Sequence, residues 1–226
     1  MHLLILGRGK TGKLVAEVAR TRHHQVQVLA SKENQGACAL TPEHLRNVDI
    51  VIDFTTPRAV LENVEACVHA RKNMVVGTTG WYEELPRVRQ MVETNGTGFL
   101  YAANFSIGVN LFCELTQAAA RTLRHNYRGQ IFERHHAGKK DAPSGTALAL
   151  ARIIREASGT DLEITSFREG DVVGMHELVF DSPVDTIYLC HDAKSRLGYA
   201  EGAVRGAEWL ADKKGFFDFK QIWSEL

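Results

Sequence analysis

Hydrophobic positions along the chain change their spacing in an orderly way. "HLLILG" (2–7) is an apolar run stopped by glycine, and "KTGKLVAEVARTRHH" (10–24) after it places Leu14, Val15, Val18 and Ala19 at helical spacing. That pattern predicts strand, turn, helix. Further apolar runs at 25–30, 48–54, 73–77 and 98–102 predict four more strands. Helical segments are expected between most of them, notably at 57–72, where Pro57 suits a first turn, and at 82–95. Strands that are apolar along their whole length and alternate with helices imply a parallel sheet covered on both faces. The connection containing "ENQGAC" and "TPEHLRN" is too polar and broken for a long helix.

Beyond residue 103 the rhythm becomes α+β. A helix at 108–124 leads into the strand-like "GQIFERHH", a polar loop and a second helix at 144–157. Three candidate strands follow at 162–168, 172–180 and 184–191, separated by Gly-Asp or Ser-Pro turns. "GYAEGAVRGAEWLADKKG" is helical again, and the four aromatics of "FFDFKQIW" must cover something apolar, so this tail is expected to return to the first domain. The expected fold class is therefore α/β: an N-terminal Rossmann parallel sheet with a smaller α+β domain inserted before a C-terminal helix that returns. The expected division is 1–105 for dinucleotide binding, 106–197 for substrate binding and oligomerisation, and 198–226 packing back on the first part.

Composition narrows the partners. The 226 residues are 44% hydrophobic, enough for a full core, and Lys+Arg and Asp+Glu both number 27. A neutral chain has no global field to gather nucleic acid or an anionic membrane, so any anion binding must be local. Cys38, Cys67, Cys113 and Cys190 are far apart with no C-x-x-C pair, the N-terminus lacks a signal-peptide pattern, and the apolar runs are too short to span a bilayer. Reduced thiols, a cytoplasmic location and no metal are expected.

Gly7-Arg8-Gly9-Lys10-Thr11-Gly12 is a G-x-G-x-x-G loop. Alone it is weak, but it follows the first strand and opens the first helix, where glycines let backbone approach a pyrophosphate at the positive end of the helix dipole. The ribose-contacting position about 20 residues on reads Ala30-Ser31-Lys32-Glu33. Lys32 and Ser31 would accept a 2′-phosphate and Glu33 a 2′-hydroxyl, so NADPH use with NADH tolerated is expected. "DFTTP" and "GTTGW" fall at strand C-termini, where Gly77, Thr78, Thr79 and Gly80 offer hydroxyls and open amides to a nicotinamide.

The richest polar segment is "ERHHAGKKDAPSGTA" (133–147). His135 and His136 are adjacent and would point to opposite faces of a strand, which implies two roles. Histidine can hold a proton near neutral pH and release it in a transition state, and Lys139 offers a second donor or a charge clamp. Ser144, Gly145 and Thr146 reach a helix start, whose free N–H groups suit a carboxylate. A capped helix preceded by a solvated basic turn would have the same composition.

This segment resembles the signature E-x-H-H-x-x-K-x-D-A-P-S-G-T of the dihydrodipicolinate (4-hydroxy-tetrahydrodipicolinate) reductases, at every fixed position. "AANFSIGVN", "REGDVVGMHELVF", "AKSRLGYAEGAVRGAEWL" and "GFFDF" extend the likeness over almost the whole chain. The resemblance implies a nicotinamide-dependent reductase of diaminopimelate and lysine biosynthesis that acts on a small cyclic imine with two carboxylates, in a homotetramer. It also implies His135 as proton donor, Lys139 as second catalytic donor, His136 as a substrate contact, and Ser144, Gly145 and Thr146 as carboxylate binders. On the cofactor side it implies Gly7, Gly9, Lys10, Thr11, Gly12 and Lys32 for the nucleotide, with Phe54, Gly77, Thr78, Thr79, Ala103, Asn104 and Phe105 near the nicotinamide. The chain departs from many members in being shorter before "REGDVVG" and between the second and third strands. It also reads Gly174-Met175-His176 where the family commonly has G-E-H, so no role is carried to Met175. Two other readings remain at this point: a different Rossmann dehydrogenase sharing only the first half, which leaves the HHxxK and PSGT segment unexplained, and a nicotinamide sensor without turnover.

Overall fold

A computed structural model describes residues 1–226. The chain begins with β1 (His2–Leu6), α1 (Lys10–Thr21), β2 (Gln25–Leu29), a short α2 (Pro42–Leu45), β3 (Ile50–Asp53), α3 (Pro57–His69), β4 (Asn73–Val76), α4 (Leu85–Asn95) and β5 (Gly98–Tyr101). It continues through α5 (Ile107–Ala120), β6 (Arg128–His135), α6 (Gly145–Ser158), β7 (Ile164–Arg168), β8 (Gly174–Asp181) and β9 (Thr186–Ala193). It ends with α7 (Leu197–Leu210), β10 (Gly215–Asp218) and α8 (Phe219–Ile222). These form two compact units, Met1–Ile107 with Leu197–Leu226, and Gly108–Arg196.

The first unit is built on a six-stranded sheet in the order β10-β5-β4-β3-β1-β2, with every pair parallel. Side chains alternate across it. Leu3, Ile5, Ile50, Ile52 and Leu100 face a core shared with α1, α7 and Phe219, while Leu4, Leu6, Val51, Met74 and Phe99 face α3 and α4. Strands apolar on both faces therefore sit between two helical layers, the Rossmann-like arrangement the periodicity implies. The helix expected at 82–95 opens as a 3₁₀ turn (Tyr82–Glu84), with Pro86 in the first turn of α4. The polar connection after β2 forms two 3₁₀ turns and α2, and no long helix.

The C-terminal tail does more than cover the first domain. Gly215–Asp218 is a sixth strand, in register with Gly98–Tyr101. Four residues are too few to show a period, but their alternation is physical: Phe216 stacks on Phe99 at 5.2 Å, and Phe217 meets Trp209 edge-on at 5.0 Å. α8 then buries Phe219 and Ile222.

The second unit carries a four-stranded sheet in the order β7-β6-β8-β9; β6 and β7 are parallel, and the remaining pairs antiparallel. Phe112 and Ala120 of α5 and Leu150 and Ile154 of α6 pack on Ile131, Leu178 and Phe180. No helix is long and apolar enough to cross a membrane.

Close packing of α7 depends on one residue without a side chain. A Cβ added at Gly202 would stand 1.8 Å from the Phe105 carbonyl oxygen, a backbone atom that cannot turn away, whereas one at Gly206 would meet side chains alone, the end of Leu100 at 2.7 Å and the Phe219 ring at 3.7 Å. Gly202→Ala is expected to destabilise by at least the about 1–3 kcal/mol of an overpacked core. Its melting temperature should fall further than that of Gly206→Ala, at about 2–4 °C per kcal/mol. Equal melting temperatures would refute this packing.

Candidate active site

In the first unit, β1 delivers the chain to Gly7, whose φ of +106° only glycine adopts readily, and Gly7 N–H donates to the Leu29 carbonyl at 2.9 Å. A Cβ at Gly7 would lie 2.3 Å from the Phe54 carbonyl oxygen, and one at Gly12 2.1 Å from that of Gly7; at Gly9 nothing stands within 4 Å. Two glycines thus let the turn close, and the third leaves its outer face open. Gly9 is the N-cap of α1 with no side chain capping the first turn and no acid within it, so the helix start presents open N–H groups. This arrangement fits a pyrophosphate. A cleft of about 300 Å³ lies over it, where Gly9, Lys10, Thr11 and Gly12 meet Phe54, Gly77, Thr78 and Thr79.

The other expected nucleotide residues are distributed around this cleft in different ways. Lys32 belongs to the 3₁₀ turn Ser31–Glu33 after β2. Glu33 is already engaged there: its Oε2 accepts from Ala30 N–H at 2.6 Å, and its Oε1 lies 3.9 Å from Arg8 Nη1. Ala103, Asn104 and Phe105 follow β5; Ala103 is exposed, and Asn104 Oδ1 accepts from Ser106 N–H. Phe105 is buried, 4.8 Å from the Phe219 ring and 6.2 Å from that of Phe54.

Sequence reasoning missed Asp53, the hub beneath the cleft. It is fully buried at the end of β3. Its Oδ1 accepts from Thr55 N–H (2.8 Å), Thr55 Oγ1 (2.7 Å) and Thr78 Oγ1 (2.8 Å), and its Oδ2 from Asn63 Nδ2 (2.8 Å). Asn63 in turn accepts from Asn34 Nδ2, and Asn34 from Ala39 N–H. Burial pushes the Asp53 carboxyl up, opposed by the hydrogen bonds from Thr55, Asn63 and Thr78. The Thr78 hydroxyl is therefore turned to the floor of the cleft, and Trp81 Nε1 donates to the Thr78 carbonyl at 2.7 Å. A charged residue ending the apolar run "IVID", with threonine two positions on, was the available signal.

In the second unit, β6 alternates so that Ile131, Glu133 and His135 point inward. Glu133 and His135 are both buried, with Glu133 Oε2 2.8 Å from His135 Nδ1. The other oxygen, Oε1, accepts from Arg168 Nη2 at 2.6 Å and from Ser144 N–H at 3.1 Å. Arg168 also donates to the Asp141 carbonyl at 2.6 Å, which ties the polar loop to β7. Burial alone would raise the Glu133 carboxyl, but hydrogen bonds led by those of Ser144 and Ser166, with Arg168 next, outweigh it and hold the group at about 2. Burial lowers His135, while Glu133 opposes that shift.

Register places His176 of β8 opposite Glu133. Its ring is 5.2 Å from that of His135, and its Nε2 is within hydrogen-bond distance (3.2 Å) of Ser144 Oγ. Burial pushes His176 down to about 4, with His135 adding to the shift. Ser144 caps α6, accepting from Ala147 N–H at 3.2 Å, so its hydroxyl serves the helix and His176. Gly145 has nothing within 4 Å of its missing Cβ, and the first turn of α6 contains no acid. Lys139 Nζ donates to both Asp141 oxygens at 2.7 and 2.8 Å. His136, just past the end of β6, is half-buried. Glu133, Arg168 and His176 were not singled out from the sequence. For Glu133 the signal was its position two residues before His135, on the same face of the strand.

Known proteins resemble this chain along its whole length. Residues 1–105 match the family described as dihydrodipicolinate reductase, N-terminus, and residues 108–223 the one described as dihydrodipicolinate reductase, C-terminus. A 4-hydroxy-tetrahydrodipicolinate reductase of Christiangramia forsetii is 35% identical over 100% of this chain and 99% of that protein. One of Chromobacterium violaceum is 39% identical over 79% of this chain and 74% of its own length. A dipicolinate-bound dihydrodipicolinate reductase from Paenisporosarcina sp. TG-14 shares the fold, with a TM-score of 0.82 at 24% identity over 98% of this chain and 99% of that one.

The buried cluster predicts acid sensitivity. The unfolded chain protonates a histidine near 6.5, whereas folded His176 resists until about 4, so stability is complete above 6.5 and falls as pH drops towards 4. Glu133, near 2 in the fold against an ordinary 4.5, extends the loss below 4.5. Thermal melts between about pH 7 and about pH 5 should show a steep fall for the native protein and a flatter one for His176→Gln. The same slope in both would contradict the assignment to His176.

Proposed function

The chain belongs to the dihydrodipicolinate reductase family, and from that premise we propose that it reduces 4-hydroxy-tetrahydrodipicolinate to tetrahydrodipicolinate with a nicotinamide nucleotide, in the cytoplasm, for diaminopimelate and lysine biosynthesis. One observation carries the reading: a buried imidazole backed by a carboxylate stands in the same cluster as the open start of α6. That combination joins a proton donor to a cradle for a carboxylate, as reduction of an anionic cyclic imine requires.

When bound, the nicotinamide supplies hydride to the conjugated imine. The protein binds, aligns and protonates. The division of labour is residues 1–105 for the nucleotide, 106–197 for substrate and assembly, and 198–226 as the segment packing back on the first part. On the first unit, the open start of α1 suits the pyrophosphate, and the cleft walls formed by Phe54, Gly77 and Thr79 suit the nicotinamide. Arg8 and Lys32 supply cationic charge beyond β2, where Glu33 is occupied, which supports NADPH with NADH tolerated.

On the second unit, His135 gives the proton and Lys139, drawn from Asp141 by a substrate carboxylate, is the second donor. His136 contacts substrate. Gly145 and Thr146 offer N–H groups to a carboxylate, with Ser144 shaping the turn. We assign the working form as a homotetramer; the exposed Val184 and Tyr188 near and on edge strand β9 support an assembly surface there.

The protein should oxidise NADPH when given the fresh condensation product of aspartate semialdehyde and pyruvate, and no oxidation would remove this reading. His135→Gln should lower kcat about 10²–10⁴-fold with nucleotide affinity within about twofold; an unchanged kcat would strip His135 of the donor role. Lys32→Glu should weaken NADPH relative to NADH, and equal effects on both would show that this side chain does not meet the 2′-phosphate.

A further inference from the structure

We infer that Glu133 is the positioning residue for His135: its carboxylate keeps a ring proton on Nδ1 and so makes Nε2, lying over Gly174, the atom from which the proton leaves. The inference rests on the assignment of His135 as donor and adds what selects its tautomer.

Three features of the geometry carry it. First, Glu133 Oε2 is 2.8 Å from His135 Nδ1 with both residues buried; the two atoms are not aligned as a formed hydrogen bond and neither has another partner, so an ionised carboxylate there, which can only accept, favours hydrogen on the facing nitrogen. Second, Glu133 cannot swing away. Its Oε1 is held by Arg168 Nη2 and Ser144 N–H, from two different elements of the unit. Third, the opposite edge of the ring is kept clear. A Cβ at Gly174 would stand 2.9 Å from Nε2 and 3.3 Å from Cδ2, so any side chain there would press on the nitrogen that must reach substrate.

The proton balance follows. Hydride addition leaves an additional electron pair on the substrate; that pair takes the hydrogen from Nε2, and the N–H bonding pair stays on the ring. The imidazolium becomes a neutral ring with hydrogen on Nδ1, the form the carboxylate selects, and water restores the Nε2 proton. The charged and titratable groups around the ring are Glu133 on its own strand, Arg168 on β7, His176 on β8 and Lys139 on the loop. Glu133 is the anion among them and favours the imidazolium; Arg168 and Lys139 oppose it. Removing the anion leaves burial and the cations unopposed.

Glu133→Gln preserves shape and removes the charge. It should lower kcat at least about 10-fold near neutral pH, leave the nucleotide Kd within about twofold, and move the limb of the kcat profile that requires protonated His135 to lower pH. Glu133→Asp should recover part of the loss. Gly174→Ala should also lower kcat but, with the anion present, leave the limb nearer its native position. Nitrogen-15 NMR of the histidine rings in the native protein needs no variant, and should show the neutral His135 ring protonated on Nδ1. A ring protonated on Nε2, or a Glu133→Gln enzyme with native kcat and pH profile, would overturn the inference. If His135→Gln turns over normally, the donor role fails instead, while the ring nitrogens still report whether Glu133 sets the tautomer.

Discussion

A carboxylate taken out of water must have its lone pairs answered, or the fold that holds it is not stable. The chain buries one such carboxylate in each unit, and it meets the requirement fully at Asp53 and on one oxygen of Glu133. Asp53 accepts four hydrogen bonds beneath the nucleotide cleft. Glu133 is gripped by Arg168 and Ser144 on one oxygen and faces His135 with the other. Because each carboxylate draws donors from several elements, each one also sets the geometry of its surroundings. Thr55 and Thr78 are drawn to the floor of the cleft, and the polar loop is drawn onto β7.

The two carboxyls nevertheless respond to burial in opposite senses. Asp53 has only neutral donors, and desolvation keeps its acid group raised. Glu133 has Ser144 and Ser166 with the Arg168 guanidinium beside them, and its acid group falls to about 2. At Glu133 the hydrogen bonds from Ser144, Ser166 and Arg168 together outweigh desolvation, whereas at Asp53 desolvation prevails over Thr55, Asn63 and Thr78. The consequence reaches the imidazole: a permanently ionised Glu133 is an anion on which His135 can rely throughout the physiological range.

In a chain of zero net charge, helix starts are the local features suited to an anion. α1 opens at glycine with no side chain capping it, so its N–H groups are available to a ligand. α6 is capped by Ser144, which satisfies the Ala147 N–H and not the earlier Gly145 and Thr146 amides. The relative from Christiangramia forsetii matches over 99% of its length.

Much of the architecture was legible because it is local. Apolar runs such as "LLIL" and "IVID" bury on both faces whatever their neighbours, so five parallel strands and their helices follow from periodicity. Gly7 and Gly12 are likewise required by the turn they make. The E-x-H spacing already put Glu133 and His135 on one side of β6. What periodicity could not reveal was which distant groups meet that side. Arg168 lies 35 positions from Glu133, His176 32 from Ser144, and Thr78 25 from Asp53. The strand Gly215–Asp218 exists only because β5 offers it an edge. Side-chain spacing along a chain reports which face is buried; hydrogen-bond partners across a sheet are set by register, and register is decided only when the strands pair.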